Sequence, residues 1–146
     1  MAAANQQSTL PQVATALGRC GLIPFIVAPP LLYLDHHHAF FYAAVLSTYA
    51  LAILCFLVGI WWGLALIRRT PSALLYSNAV VIVVFLAHVL ITHRAFFLLC
   101  AFLYPLTVVI ERLSPLFRAQ PPYYARLRLQ LTSVATVSLL LSAALA

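Results

Sequence analysis

Five apolar runs separated by short polar gaps leave this chain few ways to fold. They cover about residues 15–34, 40–67, 72–92, 95–113 and 127–145. A helix needs roughly 20 apolar residues to cross the ~30 Å hydrocarbon layer of a bilayer. Hydrocarbon offers no water to backbone amides and carbonyls, so a spanning segment must satisfy them itself, as a helix or a closed barrel. The runs are too long for barrel strands of roughly 9–11 residues. The sequence therefore predicts an all-α fold, a polytopic bundle of five transmembrane helices. Residues 1–146 form a single transmembrane domain, with 1–14 as a mobile polar tail. Composition agrees: 65% of residues are hydrophobic and 7% charged, where a soluble domain carries about 25% charged residues.

Prolines mark where the helices are stressed. Pro24, Pro29 and Pro30 interrupt the first run. Each removes a backbone donor and clashes with the carbonyl four residues back. Such breaks persist in a membrane where neighbours bind the freed carbonyls. The first span is thus expected to be kinked and packed against other helices, with Pro29-Pro30 ending the regular helix early. The second run is longer than the hydrocarbon layer at ~1.5 Å per residue, so it tilts or projects. Pro71 suits the first turn of the third. Pro105 lies inside the fourth. Between the last two runs, Pro115, Pro121 and Pro122 oppose a long helix.

All eight basic side chains are arginines. With five spans, Arg19, Arg68, Arg69, Arg112, Arg118, Arg126 and Arg128 share one side, and Arg94 alone is opposite. Short cytoplasmic loops carry the excess of basic residues, which puts the N-terminus in the cytoplasm and the C-terminus outside it. Arg68, Arg69, Arg112, Arg118, Arg126 and Arg128 are assigned to lipid headgroup anchoring. Trp61 and Trp62 mark the same interface. Arginines scattered at the ends of apolar runs make no phosphate-tracking stripe, so nucleic acid is not an expected partner. Met1 to Gly18 has no basic residue, and no secretory or transit signal is read there.

Few residues suggest chemistry. Asp35, His36, His37 and His38 form the densest polar cluster and are the candidate metal ligands, since imidazole and carboxylate both bind metals. Adjacent residues of a loop cannot all face one ion, so a plain polar hairpin is the competing reading. His88 is an ionisable group inside a span, a functional candidate by default, and Ser77 shares its face. The acids are Asp35 and Glu111 only. They fall on opposite sides, which excludes a carboxylate pair for acid–base work. Glu111 is expected to pair at the surface with Arg112 or Arg118, a contact worth little. Cys20, Cys55 and Cys100 have neither metal nor disulfide spacing. No nucleophile triad or phosphate loop is present, and neither an enzyme nor a cofactor is expected. Cys55, Gly59 and Gly63 continue a line of small residues from Ala44, Thr48 and Ala52. Small residues let helices approach closely in lipid, so these are the helix-packing candidates.

Three segments carry a resemblance. They are Gly21-Leu22-Ile23-Pro24-Phe25, the stretch Tyr49–Leu66 ending in Gly59-Ile60-Trp61-Trp62-Gly63, and Tyr124–Thr132. The chain resembles a family of small multi-pass membrane proteins of unknown function, with proteobacterial members and an animal mitochondrial transmembrane protein. Members often carry histidine or arginine where Trp61 stands, so any chemistry of that residue is in doubt here. The resemblance implies a bacterial inner-membrane location, or alternatively the mitochondrial inner membrane, and no activity. The leading expectation is a structural or accessory subunit whose partners are the bilayer and another membrane protein or a second copy. The alternatives are a small transporter or channel using the proline-broken first helix and His88, and a metal-handling protein using His36–His38.

Overall fold

The computed structural model describes residues 2–118 and 120–146, with side chains described from Thr9 onward. Six helices make up the fold: α1 (Ala2–Cys20), α2 (Ile23–Leu34), α3 (Ala39–Arg68), α4 (Pro71–Leu90), α5 (His93–Leu113) and α6 (Pro122–Leu145). Short 3₁₀ turns occupy His36–His38 and Pro115–Phe117. No strand occurs among the described residues. Five stretches are long and apolar enough to cross a membrane: Thr9–Leu34, His36–Arg68, Pro71–Leu90, His93–Leu113 and Pro122–Leu145.

The boundaries differ from expectation at three places. The stretch read as a polar tail is most of α1. The first span breaks at Gly21–Leu22, between α1 and α2, while Pro29 and Pro30 sit inside a continuing α2. Pro24 is the cause of the break, because it stands in the first turn of α2 and its ring excludes the carbonyl of Cys20, four residues back. The Tyr49 hydroxyl donates to the Gly21 carbonyl at 2.9 Å. Finally, α6 begins at Pro122, because a proline in the first turn loses no helical hydrogen bond.

Pro29 stays within a helix because a neighbour compensates. It cannot donate to the Phe25 carbonyl, and Ser138 of α6 donates to that oxygen instead. Both partners are buried, Phe25 at 1% and Ser138 at 6% exposure. Ser138→Ala should therefore destabilise the folded protein by about 1–2 kcal/mol, because it strands a buried carbonyl. The midpoint of thermal unfolding in detergent measures this, and an unchanged midpoint would refute the compensation.

In the bundle, α6 packs along α5 and α2, and α3 packs against α2, α4 and α5. Phe25, Leu32, Leu46, Leu54, Phe96, Phe97, Tyr104 and Leu139 fill the centre. Only 11% of the apolar stretch of α4 is buried, against 44% for α5 and α6. Helix α4 is thus peripheral, resting on α3. Helix α3 is capped by Arg69, whose φ of 53° is left-handed. Glycine is the usual residue at such a cap, and the Thr70 amide closes it by donating to Ala65 at 3.0 Å.

Candidate functional site

Helical spacing puts Tyr104, Thr107, Val108 and Glu111 on one face of α5, and Arg128, Thr132, Ala135 and Leu139 on one face of α6. All eight are buried. The two faces meet, since α5 and α6 share the most extensive helix contact. A buried ion pair forms there. The Arg128 guanidinium donates from Nε to Glu111 Oε2 at 3.2 Å and from Nη2 to Oε1 at 3.1 Å, a two-pronged grip on the carboxylate. Nη2 also donates to Thr107 Oγ1 at 3.2 Å, and Nη1 reaches Thr132 Oγ1 at 3.4 Å. From α3, Trp61 Nε1 donates to Glu111 Oε1 at 3.0 Å. Its indole meets the Phe117 ring edge-on, with centroids 5.8 Å apart. Glu111 is 8% exposed and Arg128 4%.

This arrangement corrects three expectations. Glu111 pairs with neither Arg112 nor Arg118. Arg128 is no headgroup anchor, whereas Arg68, Arg69, Arg112, Arg118 and Arg126 are exposed as anchoring requires. Trp61 is a buried hydrogen-bond donor, and Trp62 beside it is exposed. Burying two charges is worthwhile only when geometry and extra hydrogen bonds offset their desolvation. Here the two threonines and the indole supply those bonds. Five N–H groups are available on a guanidinium, and one of the two on Nη1 has no partner among the described residues.

Two cavities flank Arg128. The smaller, about 160 Å³, is lined by Glu111, Arg112, Ser114, Arg118, Gln120 and Arg128, with apolar side chains between them. The larger, about 390 Å³, is walled by apolar side chains of α1, α2, α3 and α6, with Tyr104, Tyr124, Arg128 and Thr132 as its polar edge. The break at Gly21–Leu22 accounts for the larger one. It lets α2 pack on both α3 and α6 while α1 follows α6, which opens a wedge on the α3 side of α1.

The opposite end of the bundle carries the histidines. His38 Nδ1 lies 2.9 Å from Asp35 Oδ2, and the Tyr42 hydroxyl donates to the same oxygen at 3.1 Å. Hydrogen bonding by His38 holds the Asp35 carboxyl below its ordinary value. His36 turns its ring edge-on to Tyr33, and His37 is exposed. A 3₁₀ turn spreads three consecutive side chains around its axis, so His36, His37 and His38 diverge. Among the described residues no three His, Cys, Asp or Glu side chains gather closely enough to hold a metal ion. Asp35 therefore caps a turn rather than completing a metal set.

His88 packs edge-on against Phe96, with centroids 5.0 Å apart, and its Nδ1 is buried without a hydrogen-bond partner among the described residues. Ser77 is buried but donates within its own helix, to Leu74 at 2.9 Å. Gly59 and Gly63 face outward, and a Cβ built on either would meet nothing within 4 Å. Cys55 is half-buried, while Thr48 and Ala52 are exposed on the same helix.

The family described as "Protein of unknown function (DUF3429)" matches residues 10–144. No curated protein and no solved structure matches the chain.

Proposed function

Because the chain belongs to that family of uncharacterised proteins, its role has to be read from its own geometry, and we propose that it is a structural or accessory subunit of a membrane assembly. The observation that carries this reading is the outward groove on α3. Gly59 and Gly63 leave the helix backbone bare, with nothing among the described residues within 4 Å of a Cβ at either position. In hydrocarbon, where there is no hydrophobic drive between helices, such small-residue faces are where one helix backbone can approach another. The occupant is a helix of a second membrane protein or a second copy of this chain.

The arginines support a bacterial inner-membrane setting with the N-terminus in the cytoplasm. Six of the seven assigned to one side are exposed: Arg19, Arg68, Arg69, Arg112, Arg118 and Arg126. Of the features that suggested transport, the broken first span is engaged within the bundle: Tyr49 and Ser138 bind its carbonyls.

Native mass spectrometry after mild detergent extraction tests the proposal. A partner subunit or second copy should accompany the wild-type chain. Gly59→Leu and Gly63→Leu should each abolish that association without lowering the helical content or the unfolding midpoint of the single chain, since a Cβ at either position meets nothing within 4 Å. A chain that is always extracted alone, or an association indifferent to both substitutions, would refute the reading.

A further inference from the structure

The wedge between α1 and α3 is lined almost wholly by apolar side chains, with polar ones only at its edge. Leu17, Leu22, Phe25, Ile53, Leu57 and Leu131 supply apolar walls, whereas Tyr124 and Arg128 supply a polar edge. Its volume of about 390 Å³ lies within the range of about 300–1,000 Å³ typical of small-molecule sites. Among the described residues, the Tyr124 hydroxyl and one Arg128 Nη1 hydrogen have no hydrogen-bond partner. An apolar body with an acceptor-bearing head fits this combination.

Charge narrows the class. Arg128 is the shared wall of the wedge and the smaller cavity. The charged side chains lining the small cavity are Arg112, Arg118 and Arg128 against Glu111 alone. With Glu111 committed to Arg128, Arg112 and Arg118 stay exposed and uncompensated. The other acid, Asp35, lies between the first two spans, at the opposite end of the bundle. A neutral lipid would leave both arginines unmatched.

We infer that the wedge is a lipid site: one acyl chain of an anionic phospholipid lies against Leu57, Phe25 and Leu131, with its glycerol region at Tyr124 and Arg128 and its phosphate on the Arg112–Arg118 side. Its test reads lipid retention, whereas that of the glycine face reads association with another helix.

The test is native mass spectrometry of the full chain after exchange into micelles holding equal amounts of phosphatidylglycerol and phosphatidylcholine. One phosphatidylglycerol should be retained per chain in preference to phosphatidylcholine. Arg112→Gln and Arg118→Gln are exposed substitutions that leave the buried pair intact, and each should lower the preference about fivefold, the worth of one arginine near an anionic lipid. Leu57→Trp and Ile60→Trp fill the wedge and should abolish retention, with circular dichroism confirming an unchanged helical content. Equal retention of the two lipids, or a preference indifferent to both arginines, overturns the anionic assignment. Retention that survives a folded Leu57→Trp or Ile60→Trp chain overturns the location.

Discussion

Replacing Arg128 with methionine is expected to destabilise the bundle by about 3–5 kcal/mol, the cost of leaving one member of a buried pair without its partner. Glu111 would then face the interior with Trp61 as its one remaining donor, since every other hydrogen bond it receives comes from Arg128. Removing both charges should be far milder. A Glu111→Leu/Arg128→Met chain no longer buries an ion, and well-packed apolar replacements of buried pairs are often neutral or stabilising. It does strand the Trp61 N–H, an unsatisfied donor costing about 1–3 kcal/mol. Adding Trp61→Phe should recover most of that. The expected order of unfolding midpoints in detergent is wild type close to the triple variant, then the double, then Arg128→Met lowest. An Arg128→Met midpoint indistinguishable from wild type would show that the pair is not buried as described.

Phe25→Ala should have the next largest effect, about 3 kcal/mol, the low end for emptying a buried phenylalanine site. The low end applies because the unfolded chain in a bilayer still has its apolar groups in hydrocarbon, so packing is lost but transfer is not. Phe25 sits edge-on to Tyr49 and Tyr104, with ring centroids 5.5 and 6.0 Å away. Both contacts would go, and the wedge would deepen toward the centre of the bundle. Phe25→Leu should cost less than half as much, because it retains most of the volume. Steric-trap or detergent unfolding reads the difference, and a Phe25→Ala chain as stable as wild type would mean that the ring carries no packing role.

Much of the fold was legible before any coordinates. Runs of apolar residues fix five spans because a bilayer imposes both their length and their hydrogen bonding. The need for neighbours to bind carbonyls freed by proline was also legible, and Ser138 meets it at Phe25. The buried pair was not. Glu111 and Arg128 are 17 residues apart, and local spacing says nothing about which way the segment between α5 and α6 folds back. Arg126 and Arg128 show the difficulty most sharply. Two positions apart on a helix are about 200° apart around it, so one arginine faces outward and the other inward, although both look alike as charges at the end of an apolar run. Trp61 and Trp62 divide in the same way. A periodic reading of Tyr104, Thr107 and Glu111 against Arg128, Thr132 and Ala135 could have found the site, because polar and small residues recur there at steps of three and four.

The Glu111–Arg128 pair also bears on how the protein is made. A lone arginine within a helix opposes entry into the bilayer by up to about 2.5–3.5 kcal/mol at the helix centre, and α6 carries Arg128 six positions from its start at Pro122. Helix α5 ends just after the one carboxylate that matches it. The two helices therefore partition most favourably as a pre-paired hairpin, with the charges cancelled before lipid surrounds them. The last two spans form one unit of biogenesis, and a chain truncated before Pro122 would leave Glu111 to enter the membrane alone.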